Sequence, residues 1–132
     1  MDEPVFLTLD EVIQIHAHQI EFYGGDCGIR DMGLLESAIA QPSAGHADGY
    51  FHEDLFEMAA AYLYHITQNH PFVDGNKSTG AQAADVFLAM NGLDLICESK
   101  LFEEMVFRVA NSDIGKDEIA EFLRSNCVEI AE

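Results

Sequence analysis

Apolar residues recur along this chain with helical period in six stretches, broken by Gly, Pro and short polar turns. In the first, residues 9–23, Leu9, Val12, Ile13, His16, Ile20 and Tyr23 share one face, while Asp10, Gln14, His18 and Glu21 share the other. Thr8 followed by Glu11 has the form of a capping box, and Gly24-Gly25 supplies the stop. Asp31 then caps a short helix to about residue 40, with Leu34, Leu35, Ala38 and Ile39 inward, and Gln41-Pro42 ends it. Residues 43–50 carry no periodicity. Their small side chains suit a mobile flap or an inert connection.

The third stretch, 52–69, has an apolar arc of Leu55, Phe56, Ala59, Ala60, Leu63, Ile66 and Thr67, wide enough for a central helix, with Glu57, His65 and Gln68 on the remaining side. The fourth, 76–91, is almost entirely small or apolar. Its polar residues Ser78, Gln82 and Asp85 form one stripe, readable as a pocket wall or as plain exposure. Gly92 closes it, and residues 93–97 read as a short extended piece. Ser99 caps a fifth helix over 101–110, with Phe102, Met105, Val106 and Val109 inward and a Glu104–Arg108 pair outward. A sixth runs over 116–126 and buries Ile119, Phe122 and Leu123. With no sustained strand pattern and no internal repeat, the expected fold is all-α, a compact helical bundle forming one domain over residues 1–132.

Charge changes this picture most. Six Lys and Arg stand against 24 Asp and Glu, a formal net charge of −18. Such a surface repels nucleic acid and anionic membrane, attracts basic partners, and is also the composition a high-salt habitat selects. No apolar run is long enough to span a bilayer, and the acidic start Met1-Asp2-Glu3-Pro4 lacks the basic residues of a signal peptide. Cys27, Cys97 and Cys127 are odd in number and far apart, which reads as buried free thiols in a reducing cytoplasm. His16 and His18, two apart on a helix, diverge and make a poor metal pair.

The chemistry is concentrated between the third and fourth helices, in His70-Pro71-Phe72-Val73-Asp74-Gly75-Asn76-Lys77. Pro71 takes His70 out of helical geometry, Asp74-Gly75 is a turn, and Asn76 reads as the N-cap of the next helix. The unpaired amides of that helix start favour an anion, phosphate above all. An imidazole suited to accept a proton near neutral pH, a carboxylate able to hold Mg²⁺ and a lysine cation stand in the same eight residues. A P-loop is excluded: Asn76 precedes the lysine, Pro71 stands where the first glycine belongs, and the preceding segment is helical.

This loop resembles the signature of the Fic/Doc superfamily, His-x-Phe-x-Asp/Glu-Gly/Ala-Asn-Gly/Lys-Arg, and lysine after the asparagine resembles the Doc (death-on-curing) branch. The likeness extends to the segment Phe6 to Val12, to Gly28-Ile29-Arg30-Asp31 with Gly33 and Glu36, and to Phe87, Asn91 and Gly92. The resemblance implies a cytoplasmic toxin of all-α fold that moves part of ATP onto a protein hydroxyl. Fic members transfer AMP, and the Doc branch transfers the γ-phosphate to a translation elongation factor. By the same resemblance His70 is the general base, Asp74 the Mg²⁺ ligand, Gly75, Asn76, Lys77 and Ser78 the nucleotide-binding residues, and Phe72 the anchor of the loop. It also implies a small antitoxin protein as partner. The Ser/Thr-x-x-x-Glu-Gly/Asn self-inhibitory motif is absent, the nearest run, from Ser99 to Glu104, failing at its last position.

One position departs from the pattern. Ser78 stands where the family has arginine, whose forked, permanent charge serine does not replace. The loss of one charged hydrogen bond to phosphate costs ~1.5–3 kcal/mol, about tenfold or more in binding. AMP transfer, or a catalytically weakened binding module that keeps the fold, therefore stand as alternatives to phosphoryl transfer.

Overall fold

The structure is a computed structural model that describes residues 3–130. Six helices follow in order: α1 Leu9–Tyr23, α2 Met32–Ala40, α3 Leu55–Asn69, α4 Asn76–Met90, α5 Ser99–Ala110 and α6 Lys116–Asn126. The fold is all-α, with four short strands as trim: β1 Gly45–His46, β2 Gly49–Tyr50, β3 Leu93–Leu95 and β4 Cys127–Glu129. No described helix is long and apolar enough to cross a membrane.

Local chemistry sets most boundaries. Thr8 Oγ1 accepts from the Glu11 amide while the Glu11 carboxylate accepts from the Thr8 amide, so the expected capping box forms. Asp31 accepts from the Leu34 amide at the head of α2. Asp54 accepts from the Glu57 amide at 2.8 Å, which starts α3 at Leu55 rather than at residue 52. The cap of α5 is Glu98, not Ser99, and it makes no side-chain cap bond.

Helices α3 and α4 lie at the centre and share the largest interface, with α1 packed on α4 and α2 and α6 on α3. Met58, Ala59, Ala60, Tyr62, Leu63 and Ile66 of α3 and Ala83, Ala84, Phe87 and Leu88 of α4 are buried in one core cluster that also takes residues from the other four helices. Gly80 makes the central contact close: a Cβ there would lie 2.9 Å from Thr67 Oγ1 and 3.1 Å from the Leu63 carbonyl.

Several expectations require correction. Tyr23, assigned to the inner face of α1, is 70% exposed and packs edge-on against exposed Phe22, because α1 runs past the core at its C-terminal turn. Residues 43–50 are not a plain loop: β1 and β2 form a tight antiparallel pair, Gly45 opposite Tyr50. Strand β4 lacked any periodic signal and pairs with β3, Leu95 opposite Cys127. The thiols are not buried; Cys27 is exposed and Cys97 and Cys127 half-buried, all free. Glu104 and Arg108 do not pair; among the described residues both ion pairs involve Arg124, with Asp54 and Glu121. The polar stripe of α4 does not face one pocket. Gln82 lines a groove between α1 and α4 with Gln14, His18 and Gln19, whereas Asp85 is drawn away from water, and burial, with the Asp94 charge adding to it, raises its pKa.

Candidate functional site

The loop between α3 and α4 is shaped from both ends. Helix α3 stops at His70, whose backbone is left-handed (φ 54°, ψ 49°), a conformation that His tolerates better than most residues and that closes a helix. Pro71 and Phe72 then turn inward and are buried, and the loop returns to the surface at Val73 and Asp74. Gly75, also left-handed (φ 81°), is the N-cap of α4. The left-handed backbone is what calls for glycine here; a Cβ would also approach Ile20 Cδ1 at 3.1 Å, which a small shift of that side chain relieves.

Asn76 is therefore not the N-cap that the sequence suggested. It is the first residue of α4, buried, and its side chain turns back into the loop. Its Oδ1 accepts from the Phe72 amide and its Nδ2 donates to the Phe72 carbonyl, both at 2.9 Å. A left-handed glycine has taken the cap position, which frees the amide to clip the loop instead. Phe72 is fully buried, as expected of an anchor, and stacks on the His16 ring with centroids 3.7 Å apart and planes 5° apart.

The start of α4 carries no side-chain cap. The first bond into the helix runs from the Thr79 amide to the Gly75 carbonyl at 2.9 Å, and no acceptor among the described residues meets the amides of residues 76–78. That end is therefore free to receive an anion. His70 is exposed, and its imidazole makes no hydrogen bond among the described residues; only its carbonyl is engaged. Asp74 is exposed, with Oδ2 accepting from the Asp26 amide at 2.8 Å and Oδ1 unengaged among the described residues. Lys77 is exposed and holds its ammonium 5.6 Å from the centre of the Phe107 ring on α5. Ser78 is half-buried, and its hydroxyl donates to the Gly75 carbonyl at 3.3 Å. The fold thus brings His70, Asp74, Gly75, Asn76, Lys77 and Ser78 to one end of the α3–α4 pair, with Asn76 presenting its backbone rather than its side chain.

Two residues that shape the loop were not singled out for it by the sequence. Arg30 donates from Nε to the His70 carbonyl at 2.6 Å and from Nη2 to the Asn69 carbonyl at 3.0 Å. His16, placed by its spacing on the apolar face of α1, is only 2% exposed and donates from Nε2 to the Asp74 carbonyl at 2.8 Å. Around them residues 28–31 lie antiparallel to the loop: Arg30 and Asp31 amides both donate to the Pro71 carbonyl, and the Val73 amide donates to the Gly28 carbonyl. The available signal was the spacing of Gly28-Ile29-Arg30-Asp31, irregular yet flanked by two well-formed helices.

The family follows from the same residues. The sequence pattern of the Fic/DOC family matches residues 6–88, which spans α1 to most of α4 and the whole loop. The chain belongs to the Fic/DOC family. It is similar to the toxin Doc of Mycolicibacterium smegmatis, 38% identical over 100 residues that cover 74% of this chain and 77% of that protein. It is also similar to the protein kinase doc of Escherichia phage P1, 33% identical over 120 residues that cover 89% of this chain and 92% of that one. Both relatives are of the Doc branch, which the lysine at position 77 had suggested.

Metal binding here has a simple chemical test. Among the described residues no three His, Cys, Asp or Glu side chains converge on a common point. Mg²⁺ does not require that: it commonly binds through one or two carboxylates with the remaining positions filled by phosphate and water. One exposed carboxylate with a free oxygen beside an anion-favouring helix start fits a metal that comes with its nucleotide, and does not fit a metal held by protein alone.

Proposed function

We propose that this Fic/DOC protein is a Doc-type toxin that transfers a phosphoryl group from ATP to a hydroxyl of a cytoplasmic protein of the translation-factor class, and that a small antitoxin protein restrains it. The observation that carries the proposal is the exposed, unengaged His70 imidazole on the same loop as the uncapped start of α4. His70 accepts the proton of the attacking hydroxyl, the general-base role to which an imidazole is chemically suited. The amides of Gly75, Asn76 and Lys77, with the Lys77 ammonium, hold phosphate oxygens and stabilise the charge that develops on them. Asp74 is the ligand for Mg²⁺, which when bound neutralises part of the phosphate charge. Phe72, clipped by Asn76, keeps the loop from collapsing onto the helix end.

The test is incubation with Mg²⁺, cell extract and ATP labelled at either the α or the γ position. The expected result is label on protein from γ-labelled ATP only, abolished by His70→Ala together with growth arrest. Label from α-labelled ATP instead would make the reaction AMP transfer, and transfer that survives His70→Ala would refute His70 as base.

A second reading is favoured by particular observations. Ser78 brings no charge and spends its hydroxyl on Gly75, and Lys77 rests on Phe107. A protein that keeps the fold and its antitoxin surface but binds nucleotide poorly fits those contacts. Ser78→Arg separates the readings: calorimetry should show ATP affinity rising about tenfold. An unchanged affinity would mean that Ser78 is not what limits the site.

A further inference from the structure

We infer that Arg30 and His16 are positioning residues that clamp the two ends of the loop, Arg30 setting the backbone that aims His70 and His16 setting the carbonyl from which α4 begins. The kinetic consequences rest on the transfer reading above; the clamp itself rests on geometry alone.

Arg30 is one of six Lys and Arg residues in a chain with 24 Asp and Glu, yet its guanidinium forms no ion pair among the described residues. Its fork spans two successive carbonyls, those of Asn69 and His70, at the C-terminal end of α3. Those carbonyls have lost their helical partners and carry the negative end of the helix dipole, so a guanidinium suits them in charge and in geometry. The next carbonyl, Pro71, accepts the backbone amides of Arg30 and Asp31 at 2.7 and 3.0 Å. Three consecutive carbonyls are thus held from one short segment. With the peptide planes fixed on both sides of a left-handed residue, the direction of the His70 side chain is fixed at its Cβ. Lysine offers a point charge and cannot bridge both carbonyls in the same way.

His16 works at the other end. It lies under the loop, stacked on Phe72, and its Nε2–H reaches the Asp74 carbonyl. Its ring edge also borders Gly75, where an added Cβ would lie 3.5 Å from Cδ2 and 3.6 Å from Nε2. The Asp74 carbonyl is one peptide ahead of Gly75, whose own carbonyl accepts the first bond of α4. The imidazole therefore determines where the uncapped amides begin and how the Asp74 carboxylate leaves the chain. An apolar side chain would fill the space under Phe72 but would leave the Asp74 carbonyl without its donor.

The two residues act on different parts of the chemistry, which makes the inference testable on the intact protein. Arg30→Lys should lower kcat for His70-dependent transfer about tenfold or more while KM for ATP stays within about twofold. His16→Leu should raise KM for ATP about fivefold or more with a smaller change in kcat, and His16→Gln, which keeps a donor, should recover most of the loss. Backbone order parameters from nitrogen-15 relaxation supply a readout independent of activity: they should fall at residues 70–72 in Arg30→Lys and at 74–77 in His16→Leu, with the helices unchanged. If His16→Leu does not fold, His16→Asn, whose shorter amide does not reach Asp74, takes its place. Loop order equal to wild type in both variants would overturn the clamp, as would losses in kcat and KM that merely follow the fraction of folded protein. A wild-type protein without His70-dependent transfer would refute the transfer reading and leave the order parameters to decide the clamp.

Discussion

At the scale of single residues, Asn76 carries the most weight in the loop. Both of its amide atoms are used on the buried backbone of Phe72, and both Phe72 groups are far from water. Asn76→Ala leaves one buried donor and one buried acceptor without partners, so it should cost about 2–3 kcal/mol by urea denaturation, and a cost near zero would show that the loop finds other partners. Nothing in the sequence favours this role over capping, because asparagine at a helix start serves both. The choice was made by Gly75, whose left-handed backbone occupies the cap and turns the Asn76 side chain toward the loop. By contrast, the burial of Phe72 was legible through the family resemblance, which makes it the anchor of the loop.

At the scale of elements, the α3–α4 contact and the α3–α6 contact each yield a prediction. Gly80→Ala sets two effects against each other. Alanine favours the helix by up to ~1 kcal/mol over glycine, but its Cβ would meet Thr67 Oγ1 at 2.9 Å and the Leu63 carbonyl at 3.1 Å. Backbone cannot yield as a side chain does, and overpacking costs about 1–3 kcal/mol, so the variant should be less stable, with part of the loss recovered in a Thr67→Ala background. Thr67 Oγ1 has no hydrogen-bond partner among the described residues, so removing it sacrifices little. On the α6 side, the Lys116 ammonium donates to His65 Nε2 at 3.1 Å, and burial, with the Lys116 and His52 charges, lowers the His65 pKa to about 4. Above the ordinary histidine value of 6.5 the imidazole is neutral in folded and unfolded chains alike. As the pH falls from 6.5 toward 4 only the unfolded chain takes up the proton, so stability declines through that window and the decline levels off below it. His65 is half-buried, so solvent screening reduces the expected loss to roughly 1–2 kcal/mol. The measurement is the difference between wild type and His65→Gln in urea midpoint at the two ends of the window; parallel curves would contradict it.

At the scale of the whole molecule the net charge of −18 dominates. With attraction confined to the two ion pairs of Arg124 among the described residues, salt has little to weaken and much repulsion to screen. The melting temperature should therefore rise with sodium chloride, by about 3 °C or more between roughly 0.02 and 0.5 M, where an ordinary balanced surface changes little. A flat or falling profile would mean that the carboxylates are too dispersed to repel. Six helices, and the Thr8 and Asp31 caps, were readable because an amphipathic period and a cap are local properties, complete within one turn or two. The strand pair β3–β4 was not, since three residues carry no period and the partner lies in the C-terminal segment. Nor was the exposure of Tyr23, which depends on where the core ends rather than on the face of α1.

The sequence by itself determined that this is a helical Fic/DOC chain with its polar chemistry gathered between α3 and α4, because periodicity, caps and a contiguous motif are all written in neighbouring residues. Only the tertiary structure decided that Asn76 clips instead of caps, that Ser78 turns back onto Gly75, and that Arg30 and His16 reach across to hold carbonyls 39 to 58 residues away. Those contacts belong to backbone atoms, which every residue shares, so no residue type at the accepting end could announce them.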